Sequence, residues 1–276
     1  MAIDPSSVAK SIPRQRLILL GASNLTRGLS TVVNTAQHLF GTPLEMHFAL
    51  GHGRSYGRKS RVIARSLPGI VDCAIWSAIE NDPLALPTAA LMTDIGNDLF
   101  YGATVDQIVS WIESCISKLS ARHARVAISM LPLMNLDWVS PRQFYFLQTV
   151  FFPRRGIEFE TFCQRARQLD ARLRTLASAQ QLAIVEPRAA WYGWDPIHLR
   201  AREWREAWQT LLAPLVANDD PAADANIAFS PQKTAGFRLW LYLRSRAPHE
   251  RGLFGFTQRR AQPAGRLATG TTIALY

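Results

Sequence analysis

Short apolar runs that stop at a loop, alternating with amphipathic stretches, constrain this chain most. "RLILL" (16–20) is wholly apolar after its arginine and ends at Gly21. "LEMHFAL" (44–50), "TAALMTDIG" (88–96), "RVAISML" and "LAIVEP" repeat the theme. Each reads as a buried strand, because each is too short for a helix and apolar on both faces. Between them, "LTRGLSTVVNTAQHLF", "TVDQIVSWIESCISKLS", "EFETFCQRARQLDARLRTLASAQQ" and "AREWREAWQTLLAPLVA" carry helical spacing. In the second of these, Thr104 is placed to cap the helix, and Val105, Ile108, Ile112 and Ile116 form one stripe. "RKSRVIARSL" and "GIVDCAIWSAIE", separated by Pro68 and Gly69, are also expected to be helical. Alternating strands and helices, with strands buried on both faces, imply a parallel sheet covered by helices. Ligands of such sheets sit at the carboxyl ends of the strands, so chemistry is expected in the loops just after them.

Those loops carry the chemistry-bearing residues. The first strand delivers Ser23, the second Gly51 and Gly53, and the third Gly96, Asn97 and Asp98. After the fifth comes "WYGWDPIHLR", with Asp195 and His198. A serine hydroxyl is a weak nucleophile and needs a base in hydrogen-bond reach. Neutral imidazole serves near pH 7, and a carboxylate must hold its tautomer. A separation of three residues lets Asp195 fold back onto His198, and Pro196 biases Asp195 away from helix. For a developing oxyanion, the Ser23 N–H, the Gly53 N–H and the Asn97 side-chain amide are the expected donors, with Gly51 an alternative to Gly53.

A second serine competes. Residues 53–57, "GRSYG", fit the Gly-x-Ser-x-Gly turn that presents a nucleophile in α/β-hydrolases. That fold places several strands before its nucleophile, whereas only one strand and one helix precede "LEMHFAL". Ser23 is therefore the expected nucleophile. "GRSYG" is then a loop beside the oxyanion donors, with Arg54 and Tyr56 facing substrate, and Trp138 and Trp194 are further candidate substrate contacts. A phosphate-binding loop is not indicated, because "GASNLTRG" lacks the P-loop lysine.

"GASN" (21–24), "GHG" (51–53), "DIGND" (94–98) and "DPIH" (195–198), in this order across roughly residues 16 to 217, closely resemble the blocks of the SGNH hydrolases, or GDSL-like esterases and lipases. The aspartate usual before the serine is Ala22 here, and no residue separates Gly96 from Asn97. The resemblance implies a flavodoxin-like three-layer α/β/α fold around a five-stranded parallel sheet. It also implies a serine esterase, lipase or O-deacetylase that works through an acyl-enzyme on a small-molecule or glycan ester, without metal or cofactor. Ser23, Asp195 and His198 would form its triad, and Ser23, Gly53 and Asn97 its oxyanion hole.

Two segments stand outside the repeat. Residues 132–157, "PLMNLDWVSPRQFYFLQTVFFPRRGI", read equally as a lid or acyl-pocket wall and as a helical excursion packed on the core. Residues 219–276 read as a small basic β extension after a hydrolase domain of 1–218. In it "FRLWLYLR" alternates at strand period, and "GLFGFTQ" and "GTTIALY" suggest two more strands. From Lys233 to Arg266 eight cations face Glu250 alone, and the whole chain carries a net charge of +10. Such a tail suits an anionic surface or a second copy of the chain. It also supports a rival reading, a non-catalytic binding module recruited to nucleic acid or another polyanion. The three scattered cysteines suggest neither zinc nor redox work. No run of about 18 uncharged apolar residues appears, so no transmembrane helix is expected. The N-terminal apolar segment is short and has no separate cleavage site, so a cytoplasmic protein is expected.

Overall fold

The computed structural model describes residues 12–62, 65–151, 156–217 and 235–276. The elements are β1 (Gln15–Leu20), α1 (Ser23–Arg27), α2 (Leu29–Phe40), β2 (Leu44–Ala49), β3 (Ser60–Val62), β4 (Arg65–Leu67), α3 (Ile75–Glu80), β5 (Thr88–Met92), α4 (Asn97–Phe100), α5 (Val105–Ser120) and β6 (Arg125–Ser129). Then follow α6 (Pro141–Phe151), α7 (Phe159–Ala179), β7 (Ala183–Val185), α8 (Trp204–Leu212), α9 (Ala235–Ser245), β8 (Glu250–Leu253), β9 (Phe256–Arg259), β10 (Gly265–Arg266) and β11 (Thr272–Leu275).

The main sheet runs β10-β11-β2-β1-β5-β6-β7. Its five expected strands are all parallel, with β1 in the middle flanked by β2 and β5. Because strand side chains alternate, the sheet feeds two cores. Ile18, Leu20, Met92 and Ile128 pack under α3, α5 and α7. Leu17, Leu19, Met46 and Leu91 pack under α2, α8 and α9 on the other side. Each fully buried aliphatic side chain contributes about 1.5–3 kcal/mol, so this double burial holds the three layers together. The α5 terminus forms as its sequence suggests, with a Thr104–Gln107 capping box. The first expected helix is instead two, broken at Gly28, where a Cβ would lie 2.4 Å from Trp208 Nε1.

Three readings change. "RKSRVIARSL" is not a helix: Ser60–Val62 pairs antiparallel with Arg65–Leu67, and β4 continues onto β8 and β9 in a second, four-stranded sheet. Pairing with a distant hairpin supplies the backbone partners that local helical spacing would otherwise provide. "FRLWLYLR" is not a strand but lies in α9. Phe237, Trp240 and Leu241 recur at helical spacing and pack on the α2–α8 core, while Arg238, Leu239, Tyr242 and Leu243 face out. The alternating pattern masked that stripe. "GTTIALY" is a strand as read, but not part of a peripheral unit. β11 runs parallel to β2, Thr272 opposite Glu45 through Leu275 opposite Phe48, so residues after 219 extend the main sheet. The polar segment from Ala217 to Asn226 lies, after its first residue, outside the described residues, as does Lys233.

The 132–157 excursion is helical where described: a short turn at Leu133–Asp137, then α6. Among the described residues no helix is long and apolar enough to cross a membrane.

Candidate active site

The three central strands end side by side, so the loops after β1, β2 and β5 are neighbours at the carboxyl edge of the sheet. Ser23 opens α1 directly after β1. His198 follows β7 in a loop whose geometry Asp195 sets. Asp195 Oδ1 accepts the Ile197 and His198 N–H groups at 3.0 and 3.2 Å, and Oδ2 meets His198 Nδ1 at 2.6 Å. The other ring nitrogen, Nε2, lies 2.9 Å from Ser23 Oγ. Burial alone would raise the Asp195 carboxyl. The hydrogen bond and charge of His198, with the two backbone donors, outweigh it and hold the pKa below its ordinary value. Ser23 and His198 are both buried, and the Phe151 ring stands edge-on to His198 at 4.8 Å.

Asn97 is buried, and its Nδ2 has no hydrogen-bond partner among the described residues. Such a donor is costly to leave unmet unless a ligand oxygen uses it. The Ser23 N–H begins a helix and has no intrahelical acceptor. Gly53 takes φ +61, a conformation that favours glycine, and its carbonyl accepts the Tyr101 hydroxyl. Gly51 has a packing reason instead: a Cβ there would lie 2.2 Å from Leu67 Cδ1.

Sequence reasoning undervalued two neighbours. Asp94 accepts the Ala22 N–H at 2.7 Å, the Asn24 N–H at 3.2 Å and Asn24 Nδ2 at 2.8 Å. Asn24 also donates to the Ile197 carbonyl at 3.0 Å and accepts the Leu199 N–H at 2.9 Å. The pair thus ties the serine turn to the histidine loop. The available signal was position: Asn24 follows Ser23, and Asp94 heads the "DIGND" block.

The substrate-facing expectation for Arg54 and Tyr56 is corrected. Both are buried. Arg54 donates to the Pro68, Leu50 and Tyr276 carbonyls. The Tyr56 hydroxyl lies 2.9 Å from the Thr93 carbonyl and 3.1 Å from that of Leu20, so it braces the two strand ends. Ser55 is also fully buried, donates to Asp98 and accepts the Gly57 and Arg58 N–H groups. Among the described residues no histidine hydrogen-bonds to its hydroxyl. Trp138 and Trp194 are exposed, and Trp194 adjoins Asp195 and packs edge-on to Phe146 of α6 at 5.7 Å.

An apolar cavity of about 110 Å³ lies on the β5–β6 side. Asn24, Asn97 and Ile197 line one part of it, and Phe100, Leu131 and Phe144 another. Ser23 and His198 do not line it, so it lies beside the Ser23–His198 pair rather than over it. Among the described residues no group of three His, Cys, Asp or Glu side chains converges as metal ligands would.

No family model and no curated protein matches the chain. Similar solved structures include a GDSL-like lipase from Bacteroides thetaiotaomicron at 12% identity, covering 74% of this chain and 88% of that one, with a TM-score of 0.48. The acetyl xylan esterase AlAXEase is similar at 14% identity, covering 73% and 100%, with a TM-score of 0.48. The psychrotrophic esterase EstA from Pseudoalteromonas is similar at 12% identity, covering 72% and 96%, with a TM-score of 0.45. The order of the four sequence blocks along the carboxyl edge of a parallel α/β/α sheet makes the fold of this chain SGNH hydrolase-like.

Proposed function

We propose that this protein is a serine hydrolase that cleaves a carboxylic ester through an acyl-enzyme. The observation that carries the reading is the unbroken chain Ser23 Oγ–His198 Nε2 at 2.9 Å and His198 Nδ1–Asp195 Oδ2 at 2.6 Å. In this reading His198 takes the Ser23 proton as Oγ attacks the carbonyl carbon. Asp195 steadies the imidazolium. The oxyanion is met by the Asn97 amide and by the Ser23 and Gly53 N–H groups. His198 then protonates the departing alcohol, and a water, deprotonated by the same histidine, releases the acid. The apolar cavity beside Asn97 receives the acyl group. Esterase, lipase and O-deacetylase chemistry all fit this frame. The three cysteines, each buried and unpaired, support a reducing, cytoplasmic setting.

A fluorophosphonate probe tests the reading. One modified serine is expected, mapped by mass spectrometry to Ser23. Absence of labelling in folded protein, or labelling at Ser55, overturns it.

Two substitutions sharpen the assignment. Asn97→Ala is expected to lower turnover of a soluble ester by about a hundred- to a thousandfold, with little change in melting temperature, since it removes a donor aimed at the developing charge. A large fall in Tm with normal turnover in the surviving folded protein would make Asn97 structural. Asn24→Ala leaves the triad intact but loosens the tie between its two loops. It is expected to cost roughly tenfold to a hundredfold in kcat with KM nearly unchanged, as small misplacements of reacting groups do. An unchanged kcat would remove Asn24 from any positioning role.

A further inference from the structure

The surroundings of Ser23 are chemically one-sided. On the β5 side lies the apolar cavity described above. On the β2 side lies His52, next to Gly53, bordered by the second sheet: Leu67 of β4 closes against Gly51. Arg65, on the same strand, pairs in register with Leu253 of β8. Arg251, also on β8, donates from Nη1 to the Arg246 carbonyl. The β4–β8 pairing and the turn between α9 and β8 thus bring Arg65, Arg251 and Arg246 together.

These cations are poorly compensated. Arg65 Nη1 is buried with no hydrogen-bond partner among the described residues. The Arg246 guanidinium sits over the Tyr242 ring at 5.7 Å. Neither has a carboxylate partner among the described residues, and the nearby Glu250 is taken by Arg259 at 3.0 Å. The mutual proximity shows in the acid–base balance. Burial, then the charges of Arg246, Arg251 and Arg54, lower Arg65 to about 10. Burial, then the charges of Arg65, His198, Arg246 and Arg27, lower His52 to about 4. Arg65 and Leu67 lie two apart on β4 and so share a face of it, and Leu67 meets Gly51, which sets that face against the loop carrying His52 and Gly53. A partly buried cation with unused N–H groups is costly unless an anion meets it.

We propose that the ester cleaved here carries a fixed anionic group, such as a phosphate, sulfate or carboxylate, on its alcohol half, held by Arg65 and Arg246 beside His52 while the acyl half enters the apolar cavity. This deepens the esterase reading and rests on it for the cleavage step, but not for the binding. Strand order supports the division of the substrate: β1 carries the nucleophile, β2 leads to the cations and β5 to the cavity, so the two halves of an ester lie to either side of Ser23.

The test pairs two probes that differ only in charge. Binding of 4-acetamidobenzenesulfonate and of the uncharged 4-acetamidobenzenesulfonamide is measured by calorimetry on the full chain, alongside turnover of the corresponding acetate esters. The sulfonate is expected to bind roughly tenfold or more tighter, as a charge-assisted contact allows. That advantage is expected to vanish in Arg65→Gln/Arg246→Gln and to shrink as salt is raised. Turnover of the neutral ester is expected to stay close to wild type. Should the double variant misfold, Arg246→Gln alone, at an exposed position, is expected to lose several-fold of the preference. Equal binding of the two probes, or a preference untouched by both variants, overturns the proposal. If neither ester is turned over and no serine is labelled, the esterase reading falls while a sulfonate preference would leave the anion site standing.

Discussion

Ser23→Ala is expected to lower kcat for a soluble ester by three orders of magnitude or more, leaving only what the oxyanion donors and binding still supply. The reason is local. His198 Nε2 lies 2.9 Å from Ser23 Oγ, so no other group is placed to be activated by it. Ser55→Ala provides the contrast. Its hydroxyl serves Asp98 and two backbone N–H groups inside the protein, so turnover per folded molecule is expected to stay within about tenfold, because no proton-transfer partner is removed. Stability should change instead. Burial raises the Asp98 carboxyl to about 6, despite the opposing hydrogen bonds of Ser55 and the Tyr56 N–H. An acid whose folded pKa is raised loses stability as pH climbs through its unfolded value, near 4, and the penalty is complete above about pH 6. Removing the Ser55 donor worsens the ionised form only. The Tm deficit of Ser55→Ala is therefore expected to be larger at pH 8 than at pH 5. Reversed activity effects of the two alanines would exchange their roles, and a pH-independent deficit would mean that Asp98 is not the group involved.

A chain ending at Gly270 is expected not to fold. It loses all of β11, whose backbone pairs with β2 from Glu45 to Phe48. It also loses Ile273 and Leu275, both fully buried, each worth about 1.5–3 kcal/mol. Tyr276 goes with them. Its main-chain oxygen accepts the fully buried Arg54 guanidinium, and leaving a buried donor unmet costs about 1–3 kcal/mol, more for a charged group. Together these approach the whole margin of an ordinary domain, about 5–15 kcal/mol. Circular dichroism and thermal melting check this. A cooperative transition within a few degrees of the full chain would show that residues after 270 are dispensable and that β11 is only laid against the sheet.

The sheet core and the juxtaposition of Ser23, His198 and Asp195 were legible because they rest on local signals. Strands that are apolar on both faces are read directly as a covered parallel sheet, and four of the five are followed by a candidate site residue. Asp195 and His198 lie three residues apart and set their own geometry within one turn. Ser23, Asn97 and Gly53 are marked by the strand ends that precede them. Counting the strands before it sets Ser55 apart from Ser23 as a candidate nucleophile.

What sequence could not settle depends on partners far along the chain. Arg54 and Tyr56 look like substrate contacts in a glycine-rich loop, but distant carbonyls, those of Tyr276 and Thr93, draw them inside. "FRLWLYLR" satisfies two periods at once, and only the apolar face of α2 and α8 selects the helical one. Arg65 and Arg251 are separated by most of the chain and come together only once β4 pairs with β8. Local spacing determines which candidate groups stand at the carboxyl ends of the strands and where along the sheet they lie. Long-range backbone pairing and burial decide which of the remaining polar side chains turn inward to hold the fold.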